Sequence, residues 1–467
     1  MLNVSTCRAW TRTILSLCAV LIPALALADI PQYQILDLGT LGGRSTIVMD
    51  VNDDGKVTGS SDTVEDAPHA FRYVNGDMDD LGTLGGTSSM GTAINARGHI
   101  TGSADRRSDE DPHAFLYAQG RMLDLGNLGT GYSHGNAINN AGHITGYAYI
   151  PTEAVGNTHA FLFGAPGQKL KDVGTIGTYS IGIAINGADQ VLGQFSDGPN
   201  FHIFLYQRGA AQELSPSAQA FVWGARSLNQ QGQVTGSVAH GDFYHAFIYS
   251  NGVLNDLETL GGPYSSGEAI NDLGQVTGGA WTANDEIHAF LYTGGRLRDL
   301  GSLGGTFASG YAINNRGHVA GTADIPDGDL QPFVYRNGKM VLLDMRLLGG
   351  TSGSSVDINE HDQVVGTYEV VVNQMPVTRG FIATPIYYLL AQLVQHTIEA
   401  KGSAALVNRA LTARAAYLSE QLTATCNQLT AFNRQAAAGS APDALDPLQI
   451  KALKREVTAI RTALSCA

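Results

Sequence analysis

Apolar and polar positions alternate along most of this chain in short runs, and the runs recur at a steady interval. The clearest copy spans 80–126. It opens on Asp80-Leu81-Gly82-Thr83-Leu84-Gly85-Gly86 and continues through Ala93-Ile94-Asn95 and Gly98-His99-Ile100-Thr101-Gly102. It ends with His113-Ala114-Phe115-Leu116-Tyr117 and a fresh Asp124-Leu125-Gly126. Period-two alternation rich in Val, Ile, Phe and Tyr predicts strands rather than helices. Asn95-Ala96-Arg97-Gly98 and Gln119-Gly120 are turn signals, since Gly supplies a positive φ and Asn caps its own turn. Each copy therefore predicts strands at 92–95, 99–102, 113–117 and 122–126, or their equivalents.

The Asp-Leu-Gly landmark falls at Asp37, Asp80, Asp124, Asp172, Glu213 (degenerate), Asp256, Asp299 and Asp344, at intervals of 41 to 48 residues. Such a period marks propellers and arrays, and four strands per copy match a propeller blade. The ends match each other too. The repeats begin with a lone fourth strand, Tyr33 to Leu38, and stop after three strands at Ala383. The expected fold is mainly β: an eight-bladed β-propeller closed by the N-terminal strand, followed by a small α-helical domain. A linear solenoid is the competing arrangement, but it leaves sheet edges open that ring closure hides.

The pattern breaks at both ends. Residues 1–28 read as a secretory signal peptide: Arg8 and Arg12, an apolar run from Ile14 to Leu25, and Ala26-Leu27-Ala28 before Asp29. The repeats occupy 29–384. From Pro385 to 467, Gly is scarce and apolar residues recur every three or four positions: Leu418, Leu422, Cys426, Leu429 and Phe432, then Leu453, Val457, Ile460 and Leu464. This spacing predicts three or four amphipathic helices, with Ser403 and Asp446 as N-caps and Pro447 in the first turn.

Charge narrows the partners. Loss of the leader, with its two arginines and no acids, takes the formal charge from −14 to −16. An acidic surface excludes nucleic acid as a partner, because phosphate binding needs basic groups. No later stretch is long and apolar enough for a transmembrane span. Cys426 and Cys466 alone remain after the leader, and an oxidising exterior favours a disulfide between them.

With these landmarks in register, the repeats resemble the HAF-repeat family of bacterial extracellular proteins. The triplet that names the family stands at 69–71, 113–115, 159–161, 245–247 and 288–290. The sequence departs from it at His202-Ile203-Phe204, Gln331-Pro332-Phe333 and Arg379-Gly380-Phe381. The C-terminal stretches 424–432 and 460–466 look like a FIMAH domain, a helical module of secreted bacterial proteins. Both resemblances imply an extracellular or periplasmic protein, and neither implies a reaction.

Candidate sites are weighed against the repeat. The recurrent histidines suggest a ring of metal ligands, but hairpin geometry makes each a diagonal neighbour of the acid that follows. The expectation is structural pairing: His69 with Asp80, His113 with Asp124, His159 with Asp172, His202 with Glu213, His245 with Asp256 and His288 with Asp299. Gln331 is expected on Asp344, and Arg379 on Asp37. Asp50-Val51-Asn52-Asp53-Asp54-Gly55 resembles a calcium loop, but Ser61 stands where the bidentate acid belongs. Gly131-Tyr132-Ser133-His134-Gly135 matches a nucleophile elbow without its strand-to-helix context. The acids of the variable loops form the candidate binding rim: Asp105, Asp109, Glu110, Asp111, Asp285, Glu286, Asp324, Asp327 and Asp329. Bridging of these carboxylates by Ca²⁺ is the one cofactor role the pattern leaves open. The resulting expectation is a non-catalytic binding or scaffolding protein at the cell exterior, with an extracellular glycan or protein as ligand. The alternative is a propeller hydrolase or lyase acting on a polysaccharide, which should break the repeat symmetry in the central channel.

Overall fold

A computed structural model describes residues 32–107, 111–150, 157–174, 179–196, 201–214, 222–438 and 445–466. The leader, Asp109 and Glu110 lie outside them. The fold is a mainly β propeller followed by four helices.

The repeat landmarks have local physical causes. In Asp80-Leu81-Gly82 the Asp80 carboxylate accepts the Gly82 N–H at 2.8 Å, Gly82 turns at φ +71°, and Leu81 is buried. The same Asp-to-Gly bond recurs at Asp37, Asp124, Asp172 and Asp299. The Thr of Thr-Gly donates to the carbonyl of the Phe in the third strand, as Thr101 does to Phe115 at 2.8 Å. Its Gly is required by close approach: a Cβ on Gly102 would collide with the Met90 carbonyl of the adjacent strand. The recurrent Phe71, Phe115, Phe161, Phe204, Phe247, Phe290, Phe333 and Phe381 are all fully buried. Each fills the space between its own sheet and a neighbouring one, as Phe115 does against Ala70 and Leu81 of the preceding copy.

In the copy at 85–124 the four strands run Gly85–Ile94, Ile100–Arg106, His113–Ala118 and Arg121–Asp124, antiparallel throughout. The first strand is longer than the alternation indicates. It extends back through Gly85-Gly86, where Gly85 (φ +109°) pairs with Arg106. Six sheets are four-stranded, and the copies starting at Ser133 and Tyr179 are joined into one larger sheet by a Thr158–Tyr179 bridge.

First strands pack against first strands from copy to copy, and the last, Gly350–Ile358, lies against the first, Gly42–Val51. A chain of side-chain amides follows the same path. Asn52 donates to the Asn95 carbonyl, then Asn95 to Asn139, Asn139 to Asn186, Asn186 to Asn229, Asn229 to Asn271, Asn271 to Asn314, Asn314 to Asn359, and Asn359 back to Asn52. All these bonds measure 2.9–3.1 Å. Each Asn is buried and also accepts two N–H groups of its own turn, as Asn95 does from Arg97 and His99. At the ends of the repeats, Tyr33–Asp37 pairs antiparallel with Phe381–Pro385.

The helices are α1 (Ile386–Glu399), α2 (Ala404–Leu418), α3 (Leu422–Ala438) and α4 (Pro447–Ala463). Ser403 caps α2, and Asp446 caps α4 in a reciprocal capping box with Gln449. Their shared core contains Leu390, Leu393, Leu429, Phe432, Val457 and Ile460. Cys426 and Cys466 form a disulfide with Cα atoms 5.5 Å apart. No helix among the described residues is long and apolar enough to cross a membrane.

Candidate active site

Each first strand carries a β-bulge three residues before its ring Asn, and the residue after the bulge faces the next first strand. At that position most copies have a small residue: Ala93, Ala137, Ala184, Ser227, Ala269 and Ala312. Two copies have acids instead, Asp50 and Asp357, and these are neighbours across the seam between the first and last copies. They hydrogen-bond to each other. Backbone amides hold both. Asp50 accepts Val51 N–H at 2.8 Å and Ile94 N–H at 2.7 Å; Asp357 accepts Ile358 N–H at 2.8 Å and Val51 N–H at 3.3 Å.

Burial pushes the Asp50 carboxyl well above the usual range, and the adjacent Asp357 charge pushes it further. Burial also raises Asp357. Two adjacent buried carboxyls cannot both ionise easily, so burial and the neighbouring charge favour a proton on the pair. Their carboxyls are buried where the two inner strands meet, while each residue keeps part of its surface exposed. Other polar groups line the same strands. His134 Nε2 lies 3.1 Å from Thr92 Oγ1, and Asn136 donates to the Gly182 carbonyl at 2.7 Å. Ser266 donates to Glu268 at 2.7 Å. Burial pushes the His134 imidazole down to about 4, so it is neutral at pH 7.

The paired residues sit further out. Nδ1 of His69, His113, His159, His202, His245 and His288 lies 2.7–2.9 Å from its acid. These acids are not sealed between sheets; their side chains are 31–46% exposed, because they also serve the Asp-Leu-Gly turn at the rim. Two expected pairs do not form. Gln331 accepts the Met345 N–H and donates to the Thr351 carbonyl, while Asp344 caps the turn Met345–Leu348 and pairs with Arg346 at 2.8 Å. Asp37 is bonded to the Tyr368 hydroxyl rather than to Arg379, because Tyr368 stands beside Arg379 in the register.

The acidic rim is also redistributed. Asp105 accepts the Ser88 N–H, and Asp324 accepts the N–H groups of Thr306 and Phe307. Both brace the connection into the first strand of their own copy. Asp327 lies 4.0 Å from Arg346, Glu286 lies 3.5 Å from His288, and Asp285 occupies a positive-φ turn position. Asp329 and Asp111 are exposed. Among the described residues, the rim acids bring no three ligand atoms together. In the loop resembling a calcium site, Asp53 accepts the Glu360 N–H and Asp54 pairs with Lys56.

No protein-family model and no curated protein matches the chain. Its similarities are to solved propellers. The β-propeller domain of the trilobed protease from Pyrococcus furiosus is 9% identical, with 64% of this chain and 96% of that one covered, at a TM-score of 0.43. A puromycin-hydrolyzing peptidase from Mycobacterium tuberculosis is 10% identical over 73% of this chain and 61% of its own, at 0.42. TolB from Acinetobacter baumannii is 11% identical over 62% and 79%, at 0.35. Likeness at this level does not carry over a substrate or a reaction. The expectation of a non-enzymatic chain is corrected on the acid pair, and propellers named as a protease and a peptidase stand among the matches. That pair breaks the repeat symmetry at the seam between the first and last copies.

Two features escaped the sequence reading. Asp50 and Asp357 are 307 positions apart, and only alignment of all copies on the ring Asn exposes them as the acids in a column of Ala and Ser. His240 is the other, a second imidazole beside the His245–Asp256 pair.

Proposed function

We propose that the chain is an exterior hydrolase built on a closed eight-bladed propeller, with Asp50 and Asp357 as its acid–base pair. The pair itself carries this reading: two adjacent buried carboxyls where six other copies have Ala or Ser. The closed amide chain through eight Asn side chains supports the blade count. The leader-like segment 1–28 and the disulfide support an extracytoplasmic location.

The spacing narrows the chemistry. Glycosidase carboxyls stand roughly 5 to 9.5 Å apart to flank a sugar. A hydrogen-bonded pair is closer and fits activation of one water against a carbonyl carbon. In that reaction the ionised carboxylate takes a proton from water as its oxygen bonds to the carbonyl carbon. The protonated partner gives its proton to the carbonyl oxygen. Collapse breaks the bond to the leaving amine or alcohol, which takes a proton back, and the pair returns to one shared proton. The substrate class is thus an amide or ester of an extracellular polymer, including acyl-substituted polysaccharide. The acidic surface disfavours polyanions.

The test is hydrolysis of peptide, acylated-polysaccharide and unsubstituted-polysaccharide panels by the mature protein. Asp50→Asn and Asp357→Asn should each lower kcat by about 10²-fold or more on the accepted substrate, assayed well below the melting point of each variant, because an Asn oxygen keeps only one of the two backbone N–H bonds that each carboxylate accepts. Undiminished turnover in the double variant would remove the pair from the reaction.

A second reading, rim binding of glycan, draws on an exposed aromatic group. Tyr264 packs against Phe243, Tyr244 and Trp281 with ring centroids 4.7–5.6 Å apart. Phe243 and Tyr244 are 44% and 38% exposed, as expected for stacking on sugar rings.

A further inference from the structure

We propose that His240, His245 and Asp256 form a binding site for a divalent transition metal of the Zn²⁺ or Cu²⁺ class. The site follows from one substitution in the repeat. His245 is the paired histidine of its copy, opposite Val238 in the register. His240 ends the neighbouring strand, Val234–His240, two residues beyond Val238 and on the same face. The equivalent position in the copy at 85–124 is Arg106, whose guanidinium lies 3.4 Å from Asp124. That position therefore points at the acid, and in this copy alone of the two it presents an imidazole.

The geometry is that of a ligand set. Nδ1 of His240 and Nδ1 of His245 both lie 2.9 Å from Asp256 Oδ2. The three ligand atoms lie within 4.8 Å of one another, the one such group of His, Cys and acid side chains among the described residues. Ligands about 2.0–2.1 Å from Zn²⁺ stand roughly 3 Å apart in tetrahedral or octahedral arrangements. Asp256 Oδ1 is engaged by the Glu258 N–H at 2.7 Å, which fixes the carboxylate and leaves Oδ2 toward the two rings. The rings stack at 4.2 Å with 14° between planes, so a modest splay of the exposed one opens space for the ion.

The donor set N,N,O matches Zn²⁺, Cu²⁺ or Ni²⁺ better than Ca²⁺, which prefers six or more oxygens. Binding moves each ring to its Nε2–H tautomer and replaces two N–H···O bonds by metal bonds. The His240 side chain is 61% exposed, so the ion enters from solvent and keeps open positions for water or an outside ligand. That leaves a metal with exchangeable sites beside the aromatic group at Phe243 and Tyr244.

The experiment uses untagged, chelator-stripped mature protein dialysed against Zn²⁺ or Cu²⁺. Metal content is read by mass spectrometry, and Cu²⁺ ligation by electron paramagnetic resonance. Wild type should retain one equivalent more than His240→Ala, with nitrogen hyperfine structure from two imidazoles. His240→Arg copies the Arg106 arrangement, keeps a cation on Asp256, and should melt like wild type while losing the metal. His113→Ala, at a pair with no second imidazole, should leave binding intact. Equal metal in wild type and both His240 variants, or none in wild type, overturns the site.

Discussion

Removal of the N-terminal strand through Asp37 should unfold or aggregate the propeller, the largest effect expected of any change described here. Tyr33–Asp37 completes the sheet built from the last three repeat strands, by pairing with Phe381–Pro385. Without it the strand Met375–Pro385 offers a free edge, a template for association with other chains. Further contacts leave with it. Arg336 stacks over the Tyr33 ring at 5.3 Å, Gln34 donates to the Ala459 carbonyl of α4, and the Tyr368 hydroxyl loses Asp37. Loss of one buried aromatic alone costs about 3–5 kcal/mol, against roughly 5–15 kcal/mol for a typical domain. The deletion is checked by thermal melting and light scattering. Unchanged melting and solubility would mean that the strand is not part of the ring.

Breaking the Cys426–Cys466 bond should cost about 4 kcal/mol, the chain-entropy value for a loop of 40 residues. Cys426 lies on α3 and Cys466 just beyond α4, so the bond ties the last two helices together where Leu429, Ile460 and Leu464 form the core. A helical unit of this size has little core to spare. Cys426→Ser with Cys466→Ser should lower the melting point of the helices and spare the propeller. Calorimetry resolves the two transitions if they are separate. A double variant with the wild-type melting curve would show that the helical core holds without the bond.

Much of the fold was legible because its rules are local and repeated. Phe115 must be buried, Gly102 must lack a Cβ, Gly82 must take a positive φ, and Asn95 must satisfy its turn. Each recurs in register, so each copy corroborates the others. The failures arise where a copy departs from the rule. Gln331 and Arg379 replace the histidine, and nothing local fixes what a Gln or Arg does instead. Gln331 turned to the backbone of Met345 and Thr351, and Asp37 found Tyr368. Asp105 and Asp324 looked like free loop acids, yet they cap backbone N–H groups 17 or 18 residues earlier in the chain. The acid pair was the least legible feature. Asp50 reads locally as part of a turn, and its meaning depends on the packing of Gly350–Ile358 against Gly42–Val51, which brings Asp357 beside it.

The acid pair also inverts the usual pH dependence of a carboxylate. Folding raises both carboxyls, chiefly through burial, so the protonated pair is the form that folding favours. Its contribution to stability is whole below the ordinary Asp value of about 3.9. The contribution is lost as pH rises through the higher folded value. The most direct measurement is a carbon-13 titration of aspartate carboxyls in the folded mature protein, compared with Asp357→Asn. The account predicts two resonances in wild type that move together and retain a shared proton well above the ordinary carboxylate range, with that coupled behaviour absent from the variant. Titration of every aspartate in the ordinary range, identical in wild type and Asp357→Asn, would contradict it.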